Sequence, residues 1–403
     1  MTKISNHPQS PSAKKLRFAM VVIDGNEVGG DEFRARGLPS PSVHPAIQTV
    51  IEGLAASDDL DFELICGSTR LAEVYSEQRK GYRFTIVPAQ KLLPGMGSGM
   101  LGRLLAIRRY LIQSKHDLVH GQGTEREAAL AAVLSGRPSV ITLHGNFREI
   151  SRIFGRRNFD YYWFAAKLET FALQRTSAIF CISNYVKQIT ACFGKAQFVI
   201  PNPVSAKFLQ IEPESDRPRP RVICIGTIDA RKRTGFILDA CEQLWSEGMV
   251  FDLAVYGGSP WKSDYFHHFL ARLKPWQEKG LASYEFHTDS PEEAIANSDI
   301  LVSASCEESF GMNVLEAMAV GVPVIAPRIG GIVDIVEDEQ TGMLYEVDSL
   351  DQCIAALKLL LNSKDRRVAF GRAGKLKARS EFCLEKITKL NIQAYKKILE
   401  KKN

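Results

Sequence analysis

Glu308-Ser-Phe-Gly-Met-Asn-Val-Leu-Glu316-Ala-Met-Ala-Val-Gly321-Val-Pro-Val-Ile-Ala326 is the stretch from which the rest of the chain can be read. Met312, Leu315, Met318 and Ala319 recur at helical spacing just after Gly311. The stretch therefore predicts a loop carrying Glu308, a helix carrying Glu316, a stop at Gly321 and a short buried strand over 322–326. Two carboxylates flank a helix start. The N-terminus of a helix offers unpaired N–H groups and the positive end of the helix dipole, which suits an anion such as a phosphate.

Working outward, a strand over 300–304 delivers the chain to Glu308. Upstream lie a strand over 221–225, a turn over 226–233, a helix over 236–247, a strand over 251–256 and the pair Gly257-Gly258. A helix over 265–279 and a strand over 283–287 follow. Ser290-Pro-Glu-Glu293 has capping-box spacing with Pro at the first helical position. Downstream come Gly330-Gly331, a short helix to Val336, a strand over 342–346 and closing helices. The first half shows the same alternation: strands over 15–23, 62–66, 83–87, 117–120, 139–143 and 178–182, with a short helix after Cys66 and longer ones over 100–113 and 125–134 and to about Arg175. Alternation of this kind argues for parallel sheets covered on both faces, with ligands beyond the carboxyl ends of the strands. His120 and His144 fall at two such ends. The segment 212–220, polar and carrying three prolines, has linker composition.

Length and composition agree with this division. A chain of 403 residues has room for two or three cores, and 45% apolar with 24% charged residues is ordinary for a globular protein. Apolar runs are broken by charge well short of the ~20 residues of a membrane span, and the polar segment 1–16 reads as neither signal peptide nor anchor. Eight cysteines without a C-x-x-C pair read as reduced thiols of a cytoplasmic protein. The net charge of +5 is modest, and no nucleic-acid partner is expected. Basic residues do cluster over 103–115, and over 148–167 among aromatic side chains. Such runs are either solvated helix faces or a contact with an anionic membrane. In the helix over 100–113, Leu101, Leu104, Leu105, Ile107, Leu111 and Ile112 form the apolar set, against Arg103, Arg108 and Arg109.

The spacing Glu308-x7-Glu316 inside the opening stretch, followed by Gly330-Gly331 and Thr341-Gly342, resembles the retaining glycosyltransferases of family 4. Gly226-Thr-Ile-Asp-Ala-Arg-Lys232 is similar to the family's Gly-Arg-Leu-x-x-x-Lys turn, and Ile200-Pro-Asn-Pro-Val204 to its hinge; together these cover most of 178–346. The resemblance implies a GT-B fold, two Rossmann-like doubly wound α/β domains facing a central cleft. On that reading 1–205 binds the acceptor, 206–380 binds the nucleotide sugar, and a last helix within 381–403 packs back on the first domain.

The resemblance also implies roles. Lys232 would bind the diphosphate, with Arg231 or Arg233 replacing the arginine that the family carries where this chain has Thr227. Glu316 would hold the ribose hydroxyls, and Glu308 the donor sugar's hydroxyls. Beside Glu308 lie the backbone N–H groups from Phe310 through Gly311, Met312 and Asn313, with Val314 the next residue of that helix turn. Gly226 belongs to the donor turn, and Gly29 and Gly30 would let backbone approach the donor from the other domain. His144, in Leu143-His-Gly-Asn146, resembles the family's histidine near sugar and acceptor; read alone it is equally a structural histidine. His120 is weighed the same way, with the structural reading ahead. Asp59-Leu-Asp61 begins a strand and makes no metal-binding pair at a strand end, so no metal and no cofactor beyond the nucleotide-sugar co-substrate is expected.

The function expected is transfer from a UDP- or GDP-sugar to a hydroxyl of a glycan, lipid-linked or small-molecule acceptor, as in polysaccharide biosynthesis. Location would be the cytoplasm, with contact at the inner face of the membrane through the basic amphipathic helices. A catalytically silent nucleotide-sugar-binding protein and a GT-B sugar-nucleotide epimerase are the alternatives.

Overall fold

The computed structural model describes residues 15–23, 45–92, 98–124, 126–154, 160–214, 217–259 and 263–400. Its first sheet contains β1 (Leu16–Val21), β2 (Leu60–Ser68), β3 (Tyr75–Arg79), β4 (Tyr82–Pro88), β5 (Leu118–Gln122), β6 (Ser139–Leu143), β7 (Ala178–Cys181) and β8 (Ala196–Val199). The order is β3-β4-β2-β1-β5-β6-β7-β8, parallel except for the antiparallel pair β3–β4. The second sheet contains β9 (Arg221–Ile225), β10 (Asp252–Tyr256), β11 (Ala282–Glu285), β12 (Ile300–Val302), β13 (Val324–Pro327) and β14 (Met343–Tyr345), all parallel, in the order β11-β10-β9-β12-β13-β14. Both sheets reverse their winding beside their first strand, between β1 and β5 and between β9 and β12. Those switch points are where an open α/β sheet opens a crevice for a ligand.

β5, β6 and β7 are buried at every position, as strands covered on both faces must be. Helix Met312–Val320 starts at Gly311 (φ 108°) and ends at Gly321 (φ 101°). At its end Val322 N–H donates to the Ala317 carbonyl and Gly321 N–H to the Met318 carbonyl, the paired bonds of a Schellman closure. The stop expected at Gly321 is thus a left-handed residue that only glycine adopts cheaply. One apolar cluster joins the halves, with Leu143, Cys181 and Val186 of the first packing among Val314, Leu315 and Ile332 of the second. Helix Leu384–Glu400 returns to the first sheet, where Ile387, Ala394, Tyr395 and Ile398 pack among Phe18, Phe62 and Phe84.

Several expectations need correction. In place of a short helix after Cys66 stands β3, whose sequence Tyr-Ser-Glu-Gln-Arg is polar because it is an edge strand paired on one side only. β8 and helix Ala206–Gln210 were not foreseen; β8 is half-buried along its length, so it carries no buried apolar run. Ser290 makes no side-chain cap bond, although Pro291 does open the helix. In helix Ser98–Gln113 the apolar set is split: Leu104, Ile107 and Leu111 are buried, while Leu101, Leu105 and Ile112 are exposed. Arg103 lies on the inner side, one turn from Ile107, and its Nε meets Glu127 Oε1 at 2.5 Å. Loss of either partner of such a buried pair costs roughly 3–5 kcal/mol, because the other charge is stranded.

Candidate active site

The carboxyl ends of β9 and β12 bring the predicted donor residues together. After β9 the chain turns at Gly226 (φ 142°), and Asp229 Oδ1 accepts from the N–H groups of Arg231 (3.0 Å) and Lys232 (2.8 Å). That staple aims both cationic side chains at the loop after β12. Lys232 Nζ lies 2.5 Å from Glu308 Oε2, and Ser305 Oγ donates to the same oxygen at 3.3 Å. Arg231 Nη1 donates to the Glu307 carbonyl at 3.1 Å and lies 3.8 Å from Glu308 Oε2. Gly226, Thr227, Lys232 and Asn313 line one cavity of about 10 Å³, the scale of a single water.

The Glu308 loop is held rigidly. Gly331 N–H donates to the Glu308 carbonyl at 2.9 Å, and a Cβ on Gly330 would fall 1.9 Å from that oxygen. The Gly-Gly pair is therefore required by close backbone approach beneath the carboxylate. Phe310 is buried with its ring against Phe382; only its backbone can face a ligand. At the helix start, the N–H of Val314, a residue expected to lie at the donor, is taken by Asn313 Oδ1 at 3.0 Å, and Asn313 Nδ2 donates to the Ile225 carbonyl. The N–H groups of Met312 and Asn313 have no acceptor among the described residues.

The carboxylates differ in state. Burial works to raise Glu308, but Lys232 and Arg231, with hydrogen bonds from Lys232 and Ser305, hold it below the ordinary value. Burial pushes Glu316 up to about 7, opposed by Lys207 and reinforced by Glu292, and no hydrogen bond or ion pair from the described residues reaches it. Glu307 also rises to about 7, through burial against the pull of Arg231. Sequence reasoning gave Glu307 no place among the charged site residues; its signal was adjacency to Glu308, and Asp229 lay unassigned within the Gly226 to Lys232 turn.

Across from this sits the other strand-end cluster. His144, just past β6, meets Gln122 Oε1 through Nε2 at 2.7 Å. His120 is fully buried, bonded through Nδ1 to the Tyr395 hydroxyl and through Nε2 to Thr142 Oγ1, each at 2.7 Å, and burial lowers it to about 3. It is a neutral core group, as the structural reading of it supposes. Asn146, two residues past His144, caps its helix and donates to the Tyr185 hydroxyl at 3.1 Å. Ser183 Oγ donates to the Ser309 carbonyl at 2.7 Å, and Asn184 donates twice to Asp334, so the two strand-end clusters are tied at their edge. Gly29 and Gly30 lie outside the described residues.

The comparisons with known proteins bear on this geometry. Residues 207–377 match the family described as Glycosyl transferases group 1, and 46–208 match Glycosyltransferase Family 4. A sulfoquinovosyl transferase of Arabidopsis thaliana is 30% identical over 167 residues, 41% of this chain and 30% of that protein. An Escherichia coli UDP-Gal:alpha-D-GlcNAc-diphosphoundecaprenol alpha-1,3-galactosyltransferase is 24% identical over 337 residues, covering 77% of this chain and 82% of its own. Sucrose-phosphate synthase from Thermosynechococcus elongatus superposes with a TM-score of 0.74 at 18% identity, over 96% of this chain and all of that one. The fold is GT-B, and the chain belongs to the glycosyltransferases of family 4 type.

Proposed function

We propose that this protein transfers a sugar from a nucleotide sugar to an acceptor hydroxyl, with retention at the anomeric carbon and without a catalytic metal. The observation that carries the reading is the juxtaposition at the β9–β12 switch point: a Glu316 carboxyl and two N–H groups at a helix start that have no partner among the described residues, and a lysine engaged with Glu308. A nucleoside diphosphate sugar has complementary groups for all three. The ribose diol donates to Glu316, as a carboxylate can accept two hydroxyls at once. The diphosphate draws Lys232, with Arg231 behind it, and these cations stabilise negative charge as it grows on the departing phosphate. Glu308, released from Lys232, accepts from the donor sugar's hydroxyls. His144 stands at the acceptor side.

The donor proposed is a UDP-sugar, as the name of the Escherichia coli relative gives for that enzyme, with a GDP-sugar as the alternative. The acceptor proposed is lipid-linked. Helices Ser98–Gln113 and Tyr161–Arg175 both pack beside helix Glu127–Val133 and leave Leu101, Leu105, Ile112, Phe164 and Phe171 exposed among Arg108, Arg109, Lys167 and Arg175. An apolar face within a basic rim suits an anionic bilayer surface, and no helix among the described residues is long and apolar enough to cross one.

The test is a thermal-shift and product panel of nucleotide sugars. A bound donor at 100 times its dissociation constant stabilises by about 2.7 kcal/mol, and transfer to an alcohol or prenyl-diphosphate glycan should follow with retained configuration by NMR. Unchanged transfer from every donor in both Lys232→Ala and Glu316→Ala would sink the proposal. Binding without turnover would mark a silent protein, and product from donor alone an epimerase.

A further inference from the structure

We propose that the cavity between helix Lys364–Glu381 and the linker segment 212–214 is a second ligand site, which takes a phosphate ester carrying an aliphatic chain. Nothing in this site depends on sugar transfer.

The cavity, of about 380 Å³, falls in the size range of small-molecule sites. Ser298 and Asp299, just before β12, and Val322 and Pro323, just before β13, line it. It therefore opens at the amino ends of these strands, whereas the carboxyl end of β12 leads to Glu308. Between the two runs helix Met312–Val320, about 14 Å long over its nine residues, and Gly321 at its end forms part of the cavity wall.

Helix Lys364–Glu381 divides its sides by residue size. Gly371 and Gly374 are buried: a Cβ on Gly371 would lie 2.0 Å from the Gly321 carbonyl oxygen, and one on Gly374 would lie 3.3 Å from Met318 Cγ. Lys364, Val368, Arg372, Lys375, Leu376 and Arg379 line the cavity, recurring at three- and four-residue spacing as one helix face does. Val368 and Leu376 are 58% and 63% exposed, and with Pro213, Val322 and Pro323 they make the lining largely aliphatic.

The charges there do not cancel. Asp299 lies 3.8 Å from Arg367 Nε and accepts the Arg221 N–H, Glu212 accepts from Lys375 Nζ at 2.7 Å, and Glu214 accepts from Arg217 at 3.4 Å. Lys375 Nζ also donates to the Ile211 carbonyl at 2.8 Å, which holds the linker as a wall. Each lining carboxylate thus has its cation, whereas Arg372 and Arg379 have no partner among the described residues. A guanidinium fork matches a phosphate bidentately. A phosphate without a chain would leave Val368 and Leu376 in water, and a chain without an anion would gain nothing from the two guanidinium groups.

Isothermal titration of the full-length protein with dihexanoyl phosphatidic acid, kept below its micelle concentration, tests the site. One molecule should bind per chain, about 10-fold or more tighter than dihexanoyl phosphatidylcholine, which has the same chains and no net charge, and than glycerol 3-phosphate, which has no chain. Arg372→Gln with Arg379→Gln should weaken binding about 10-fold or more. Leu376→Glu puts a carboxylate into the same wall from an exposed position and serves if the double variant does not fold. No binding, equal binding of the three probes, or undiminished binding in these variants overturns the site. A loss confined to Arg108→Gln with Arg109→Gln overturns it too, because the lipid would then sit on helix Ser98–Gln113. Flotation on vesicles of phosphatidic acid in phosphatidylcholine separates two sources of the same chemistry. Weaker flotation of the double variant identifies a bilayer lipid as the ligand, and equal flotation with weakened titration identifies a soluble phosphate ester. If no nucleotide sugar binds or reacts, the titration still decides this site, and it is the proposed function that has failed.

Discussion

The two strand-end clusters handle charge in opposite ways. At the end of the second sheet Lys232 and Arg231 face Glu307 and Glu308 within 4 Å, and Glu316 stands beside them with no bonded partner among the described residues. At the end of the first sheet His120, Gln122, Thr142 and Tyr395 form a buried net that stays uncharged. A cluster of paired ions can exchange an internal partner for an external one, which suits an anionic ligand. A neutral net can only orient hydrogens, which suits a hydroxyl. The difference teaches that buried His120 of the first cluster and buried Glu316 of the second respond to pH with opposite signs.

The largest effect belongs to His120. Its pKa is about 6.5 unfolded and about 3 folded, so its contribution to stability is present above 6.5 and lost as the pH falls toward 3. The full loss is roughly 4–5 kcal/mol. Denaturant unfolding from pH 7.5 to 4 should show this decline, and His120→Gln, which cannot titrate but can bond Tyr395 and Thr142, should remove most of it. An identical slope in the variant would break the contrast at its neutral side.

Next is Lys232→Ala. Removing the cation strands Glu308, and loss of one partner of a buried pair costs roughly 3 kcal/mol. Transfer should fall by about 10²- to 10³-fold as the growing charge on the leaving diphosphate goes unmet. Lys232→Arg should restore much of the stability and less of the rate, since a guanidinium is broader than an ammonium. Equal recovery of both would mean that the lysine serves Glu308 rather than the diphosphate.

Glu316 comes third, with the reverse sign to His120. A carboxyl near 4.5 unfolded and about 7 folded contributes stability fully present below 4.5 and lost as the pH rises through 7. The loss is about 3 kcal/mol for Glu316, and Glu307 adds a similar one. Glu316→Gln should therefore be the more stable protein at pH 8 by about 2–3 kcal/mol while binding nucleotide sugar about 10-fold more weakly. A variant both stable and tight-binding would remove Glu316 from the donor site and leave it as a strained helix carboxylate.

These contrasts also mark what was legible in the sequence. The second cluster could be read because its residues are near one another along the chain: Gly226 to Lys232 is one turn and Glu308 to Glu316 one loop and helix, each with glycines whose backbone demands are local. The fold was legible for the same reason, since strand–helix alternation is a local signal. The first cluster joins β5, β6 and the last helix, and no spacing reveals that His120 meets Tyr395. Arg103 was misread likewise: on a basic amphipathic helix nothing marks one arginine as inward until Glu127, 24 residues on, is seen beside it. β3 and β8 were missed because edge strands bury too little to show an apolar pattern.

The smallest effect concerns the tie between the clusters. Asp334 accepts from both the backbone N–H and the side-chain amide of Asn184, at 2.6 and 3.1 Å, and so caps a helix of the first half with a carboxylate from the second. These atoms are exposed, so the bonds stabilise only modestly, about 1 kcal/mol as for other lost caps. Asp334→Asn keeps one acceptor oxygen and should lose less than Asp334→Ala. If the tie only staples the fold, Asp334→Ala lowers stability by that amount and leaves kcat unchanged. If it sets the separation of the Ser309 loop from the His144 strand end, kcat should also fall, by about 2- to 5-fold, with donor affinity preserved because the residues on β9 and β12 are untouched. A fall in nucleotide-sugar affinity instead would show that the charged cluster does not hold its shape alone, and the contrast between a self-contained charged cluster and a dependent neutral one would have to be abandoned.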